Sequence, residues 1–185
     1  VSNYLVEVYM NTRSYEAALK SIERIAKPSA QIMEAKQKIL FQLGTQSFAN
    51  ANFEQALQYL NQSIAIGQYN RQTKADAYYW CGESYYRLNR MMEAARDFNA
   101  YLQLTTQPNN EMYALANYNL GYIAFHRKDY TQASNYFQKY IQLEKGENRT
   151  ALADAYNRIG DCHLNVRNFE EAKHYYSQAE QMNTP

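Results

Sequence analysis

Glycine and proline are scarce in this chain of 185 residues, which has six glycines and three prolines. A β-sandwich or a β-barrel needs many tight turns, so this scarcity argues against both folds. No stretch approaches the roughly 18 consecutive apolar residues that a membrane-spanning helix requires. Neither sign of charge is in excess, because 19 basic residues balance 18 acidic ones. The composition therefore gives no electrostatic reason to expect nucleic acid or anionic lipid as a partner.

Tyrosine, by contrast, is abundant. The 19 tyrosines explain how a hydrophobic fraction of 46% coexists with a mean hydropathy of −0.70. With enough apolar material for a packed core and few turn-forming residues, the composition predicts an all-helical protein. Cys81 and Cys162 lie among apolar residues at helical spacing, so we expect them to act as small buried hydrophobic side chains.

A short motif recurs five times along the chain: a large apolar residue, two mostly polar residues and an alanine. Successive alanines are 38 or 39 residues apart, and another large apolar residue follows each alanine four positions later. In four of the five repeats a glycine lies twelve residues before the alanine. The alanines are Ala18, Ala56, Ala94, Ala133 and Ala172, and the glycines are Gly44, Gly82, Gly121 and Gly160.

Each motif is predicted to begin a helix. The preceding residue is Ser14, Asn52, Asp129 or Asn168 in four repeats, and all four are good N-caps. A Gln or Glu three residues after each of the last three makes a pattern like a capping box. Apolar residues at helical spacing precede each motif, so every repeat reads as helix, short turn, helix. The predicted helix pairs are 1–11 with 14–26, 30–50 with 53–66, 72–88 with 91–105, 111–127 with 130–144, and 149–165 with 169–182.

This pattern resembles the tetratricopeptide repeat family, whose signature places Trp, Leu-Gly and Tyr in a first helix and Ala and Phe in a second. Repeat four, for example, carries Leu120-Gly121, Ala133 and Phe137. The period of 38–39 residues is longer than the usual 34, and the late proline of the signature is absent. The resemblance, to a long-period bacterial type, implies an all-α fold: an α-α superhelix, or right-handed solenoid, of about five helix-turn-helix units.

We expect residues 1–185 to form a single array of such repeats. Because the amphipathic pattern already includes Val1, we expect the array to be a fragment of a longer protein. No polar capping helix follows the last repeat, so homo-oligomers could form through uncapped terminal repeats. The repeats are expected at approximately 1–28, 29–68, 69–108, 109–147 and 148–185.

No residue pattern typical of catalysis or metal binding is found. The three histidines lack cysteines or carboxylates at ligand spacing, and the chain has neither a glycine-rich phosphate loop nor a nucleophile elbow. Asp154 and Asp161 lie on one helix face, with Arg158 four residues after Asp154. A solvated face with an ion pair explains them better than paired catalytic carboxylates do. We therefore expect no enzyme activity, no cofactor and no metal site.

The resemblance further implies that the first helices line a concave groove that holds a partner. Aromatic side chains with a polar tip suit such a contact surface. We expect the tyrosines in the groove positions to be exposed in one concavity, whereas Phe48, Tyr86 and Phe125 are explained as well by packing between repeats. The groove lacks the Lys and Asn pairs with which one subfamily holds a C-terminal carboxylate. The candidate partner-binding residues are Tyr79, Glu83, Tyr118, Tyr122, Phe41, Asn157 and Asp161.

Two functions stay open. The first is a non-catalytic scaffold that binds a protein or peptide. Tyrosine-rich repeats of long period are similar to large tetratricopeptide proteins of the bacterial cell envelope, which favours a role in assembly in the periplasm or envelope. The alternative is a regulatory sensor that binds a small peptide in the cytoplasm and controls an attached kinase or transcription module.

Overall fold

The computed structural model of the protein describes residues 14–108 and 110–184. Within these residues it contains nine α-helices and no β-strand, as the composition predicts. The helix predicted for residues 1–11 lies outside the described residues. Two compact units divide the chain: unit 1 ends at Thr106, and unit 2 begins at Gln107.

Unit 1 is built of five described helices, in which neighbours along the chain pack against each other. The helices are α1 (Tyr15–Glu23), α2 (Ala30–Ala49), α3 (Phe53–Ala65), α4 (Arg71–Arg87) and α5 (Met91–Leu104). A 3-10 turn, Gly67–Tyr69, precedes α4. α2 packs on α3, α3 on α4 and α4 on α5, and α2 also contacts α4 across the repeat boundary.

Unit 2 consists of two helix pairs that follow the same pattern. The helices are α6 (Glu111–His126), α7 (Tyr130–Leu143), α8 (Arg149–Asn165) and α9 (Phe169–Asn183). α6 packs on α7, α7 on α8 and α8 on α9. The core of unit 2 contains Phe137, Tyr140 and Ile159, all almost completely buried. The described helix bounds agree with the predicted ones to within three residues in both units.

Side-chain caps begin most of the first helices of the repeats. Ser29, Asn70, Asn110 and Asn148 each accept a hydrogen bond from the backbone N–H three residues later, at 3.2, 2.9, 2.7 and 3.0 Å. Each of these residues stands in a link between repeats. The bond satisfies one of the backbone donors that a helix leaves unpaired at its start.

The caps of the second helices are only partly as predicted. Asn52 accepts a hydrogen bond from the N–H of Gln55 and donates to its side chain, and Asp129 caps α7. Ser14 and Asn168 stand at the predicted N-cap positions of α1 and α9, but their side chains make no cap bond. The amide of Asn168 instead lies 3.4 Å from the Nδ1 atom of His163.

The turn inside each of repeats two to five has a left-handed residue that is not glycine. Ala51, Asn89, Lys128 and Arg167 have φ angles of 60°, 60°, 63° and 64°. The left-handed conformation lets the chain reverse directly after the first helix, because the N–H of the next residue can reach a carbonyl near the helix end. In repeat two the N–H of Asn52 donates to the Ser47 carbonyl at 2.9 Å. Non-glycine side chains at this position cost conformational energy.

Small residues stand where the two helices of a repeat approach closely. A Cβ atom added to Gly121 would lie 2.9 Å from two ring carbons of Phe137, and one added to Gly44 would lie 2.5 Å from Leu60. Ala133, the alanine marker of the same repeat as Gly121, is completely buried. The repeated glycine therefore makes room for the large apolar residue that follows each alanine by four positions.

Candidate partner-binding surface

Two tyrosines and an aspartate join the first helices of unit 2. Tyr118 and Tyr122 lie one turn apart on α6, so their side chains share a face. Both hydroxyls donate to the same atom, Oδ2 of Asp154 on α8, and the Tyr118 bond measures 2.5 Å. Asp154 thus ties the first helices of repeats four and five together.

The rings of these tyrosines are held rigidly. They pack edge to face at a centroid distance of 5.3 Å, and both contact the buried ring of Phe137, at 5.8 and 5.2 Å. Both residues are half-buried rather than freely exposed. Burial, together with the bond to Asp154, raises the pKa of Tyr118 and brings the pKa of Tyr122 to about 12. Both hydroxyls therefore remain protonated donors at neutral pH.

A second carboxylate lies two turns further along α8. Oδ2 of Asp161 lies 3.0 Å from Nε of Arg158, and its Oδ1 accepts a 2.5 Å hydrogen bond from Tyr176. The pairing of Arg158 with Asp154 that the sequence favours is therefore wrong, because Arg158 pairs with Asp161 instead. The description of both aspartates as a solvated face is also corrected, since each is half-buried and holds a tyrosine hydroxyl.

These residues define the tyrosine–aspartate face of unit 2. Its members on α8 are spaced three, four and seven residues from Asp154 and so project from one side of the helix. All are half-buried, in contrast to the fully buried residues on the other side of α8. The face comprises Tyr118, Tyr122, Asp154, Asn157, Arg158 and Asp161.

Tyr79 in unit 1 departs from its expected position. Only 3% of its surface is exposed, so the expectation of an exposed ring is wrong. The ring packs against Phe98 and Tyr101 of α5, at 5.6 and 5.4 Å, because this side of α4 faces the second helix of its own repeat. Its hydroxyl donates to Glu83 at 3.0 Å. Because its ring is buried, Tyr79 cannot contribute to the exposed patch expected with Tyr118 and Tyr122.

The other aromatic candidates in unit 1 are half-buried. Phe41 lies on α2, with part of its side chain accessible. Phe48 packs against Trp80 of the next repeat at 5.0 Å and against Phe53 at 5.3 Å. For Phe48, packing between repeats is thus confirmed.

The candidate residues inferred from the sequence do not include Asp76. It lies on α4, six residues before Gly82, and Asp154 lies six residues before Gly160, so the two aspartates occupy equivalent repeat positions. Oδ1 of Asp76 accepts a 2.9 Å hydrogen bond from the amide of Gln72, and burial raises the pKa of Asp76. The 78-residue spacing, two repeat lengths, is the signal from which this equivalence could have been found.

Both cysteines are buried and free, as expected. Burial raises the pKa of each thiol, that of Cys162 to about 11, so neither is an activated thiolate. Across residues 14–108 and 110–184, no group of three or more His, Cys, Asp or Glu side chains could hold a metal ion. No helix in that part of the chain combines the length and the apolar character that crossing a membrane requires.

The last repeat exposes three large apolar side chains within six residues. Leu164, Val166 and Phe169 are 45%, 58% and 60% exposed, at the turn between α8 and α9. The equivalent position of Phe169 in repeat two is Phe53, which is half-buried against Phe48. The last repeat therefore has an exposed apolar turn.

Comparison with protein families matches most of the chain. A family model described as tetratricopeptide repeat matches residues 111–184, and a second model of the same description matches residues 41–111. Among curated protein sequences, none matches the chain significantly.

Solved structures resemble the chain over nearly its whole length. BtubC (BKLC) from P. vanneervenii has a TM-score of 0.70 at 12% identity, with 98% of this chain and 78% of that one covered. MamA has a TM-score of 0.66 at 19% identity, covering 96% and 93%. YrrB, described as a tetratricopeptide repeat protein with an unusual peptide-binding site, has a TM-score of 0.63 at 15% identity, covering 96% and 82%. At these identities the likeness shows the fold, an all-α array of helix pairs.

Proposed function

Because this chain belongs to the tetratricopeptide repeat family, whose members act as protein-interaction scaffolds, we propose that it binds a peptide segment of a partner protein on the face of its first helices. The observation that carries this proposal is the tyrosine–aspartate face of unit 2. There the tyrosine rings are fixed by packing on Phe137 and their hydroxyls by Asp154, while both tyrosines and Asn157 are only half-buried. Rigid aromatic side chains lose little entropy when a partner orders them.

The second helices offer a less suitable surface. On α9 the exposed residues are mostly polar or charged, such as Glu170, Glu171 and Lys173. Long, mobile charged side chains are depleted in the centres of protein interfaces. We therefore assign partner contact to α6 and α8, and we propose that binding involves no catalysis. The peptide-binding site described for YrrB supports this class of function without locating the site here.

Photocrosslinking tests which face binds. A photoreactive amino acid replaces Asn157 on the tyrosine–aspartate face in one variant and the exposed Lys173 on α9 in a matched control. Both are introduced in cells that produce the protein, with folding checked by circular dichroism. We expect a discrete crosslinked partner from position 157 and none from position 173. A partner captured only from position 173 would refute the assignment.

The biological role is proposed at a second level. The tyrosine-rich repeats with a period of 38–39 residues support a scaffold for assembly in a bacterial cell envelope. Identification of the crosslinked partner tests this role, because an envelope protein is expected. A kinase or a transcription factor as the partner would favour the alternative, a sensor domain that controls an attached module.

A further inference from the structure

Asp154 is a half-buried carboxylate whose hydrogen bonds come only from neutral groups. Its Oδ2 accepts both tyrosine hydroxyls, and it forms no ion pair with any residue in the described part of the chain. Arg158, one turn further along α8, is engaged by Asp161. A carboxylate has about four lone-pair positions, two on each oxygen. Oδ1 therefore keeps its capacity to accept hydrogen bonds from a further donor.

The equivalent position in unit 1 repeats this arrangement. Asp76 accepts a hydrogen bond from the neutral amide of Gln72 and has no ion pair within the described residues. In repeats two and four the same position holds Lys38 and Leu115. A carboxylate at this position is thus a feature of repeats three and five and not a general requirement of the repeat.

A positively charged group is the natural complement of such a carboxylate. No basic side chain of the described residues forms an ion pair with Asp154. A cation at Oδ1 would add one, whereas an anion would be repelled. Tyr118 and Tyr122 reach the carboxylate with their hydroxyl ends. Aromatic rings also attract a guanidinium or ammonium group that lies against their faces.

We propose that the partner segment presents an arginine or lysine to Asp154. The inference rests on the proposed function, since it names the chemistry of the segment that binds the first helices. The cationic head donates to Oδ1 of Asp154, and the aliphatic part of the side chain lies along the tyrosine rings. The occupant is thus a basic segment of a partner protein.

Selection from a random peptide library tests the chemistry directly. The library is displayed on phage and selected on the purified chain, and the selected peptides are then synthesised. We expect them to be rich in arginine and lysine. Replacing the essential arginine by citrulline, which keeps its shape and removes its charge, should weaken binding to the wild type roughly tenfold. On the variant Asp154→Asn the same replacement should have little effect, and on the matched control Glu171→Gln it should have its full effect.

The outcomes separate the two proposals. Loss of binding with Asn157→Trp shows that a peptide binds the first helices. If such peptides tolerate the replacement of arginine by citrulline, the proposal of a basic side chain at Asp154 is refuted and the proposed function stays intact. Peptides insensitive to Asn157→Trp, or a library without any binder, refute the proposed function and this inference with it. If Asp154→Asn fails to fold, the citrulline comparison on the wild-type chain still decides the question.

Discussion

Adding one methyl group at Gly121 is a sharp test of the close approach of α6 and α7. The Cβ of an alanine would lie 2.9 Å from Cε1 and Cζ of Phe137, closer than carbon atoms normally approach. The ring cannot move outward, because Phe137 is completely buried. Nor can it move sideways freely, because the rings of Tyr118 and Tyr122 pack against it at 5.8 and 5.2 Å.

Two opposing effects set the size of the change in stability. Overpacking a buried site by a methyl group costs about 1–3 kcal/mol. Alanine stabilises a helix interior by about 1 kcal/mol relative to glycine. We therefore expect Gly121→Ala to lower the free energy of unfolding by about 1 kcal/mol, and to lower Tm by about 2–4 °C for a chain of this length.

The assay is urea and thermal unfolding followed by circular dichroism. Gly160→Ala is the matched control: its new methyl group meets Tyr176, which is half-buried and can shift toward solvent, so a smaller loss is expected. Shortening the opposing ring in Gly121→Ala/Phe137→Leu should recover part of the loss beyond additivity. If Gly121→Ala is as stable as the wild type, or if the double variant shows no coupling, the helices do not meet as described.

Three further perturbations test other features. Asp97 is 2% exposed, and its Oδ2 has no hydrogen-bond partner in the described chain. Burial raises the pKa of Asp97 in the folded state. The charged carboxylate therefore destabilises the folded protein at high pH, and this destabilisation is lost as the pH falls toward the pKa of the unfolded state. Asp97→Asn should therefore be more stable than the wild type at pH 7, by about 1.4 kcal/mol for each unit of the pKa difference, and this advantage should vanish near pH 4 in pH-dependent urea titrations. Ala51→Gly should raise stability by about 0.5 kcal/mol in the same assay, because glycine adopts the φ of 60° without strain. Phe169→Ser should reduce any self-association seen by analytical ultracentrifugation, since this ring is 60% exposed in the last repeat.

The helices could be predicted from the sequence because their signals are local. Apolar spacing and cap residues act within one or two turns, so the bounds of α4 and α7 follow from residues such as Asn70 and Asp129. The close contact at Gly121 could be predicted as well, because the glycine and the large residue after each alanine recur with one period.

The site was less predictable because its contacts are not local. Helical spacing favours Arg158 as the partner of Asp154, yet the hydroxyls of Tyr118 and Tyr122, more than 30 residues away in sequence, occupy that carboxylate. Tyr79 shows a second difficulty. Its repeat position predicts which side of α4 it occupies, but not that the rings of α5 cover it while its hydroxyl reaches Glu83.

The abundance of tyrosine and the carboxylates near its hydroxyls are parts of one arrangement. Tyrosine fills the space between helices as an aromatic residue, but its hydroxyl needs an acceptor when it leaves water. The chain supplies carboxylates for this purpose. Tyr79, Tyr118, Tyr140 and Tyr176 donate to Glu83, Asp154, Glu144 and Asp161, respectively.

A neutral hydroxyl satisfies the hydrogen bond of a carboxylate without neutralising its charge. The tyrosine-rich core therefore has carboxylates next to its hydroxyl groups, and the carboxylate of Asp154 lies on a half-buried face. A net charge of +1 for the whole chain does not reveal this, because charges far from the site are screened within about 10 Å at ordinary ionic strength. What a partner meets at this face is the local carboxylate and the rings beside it, and a basic side chain is the group that both of them attract.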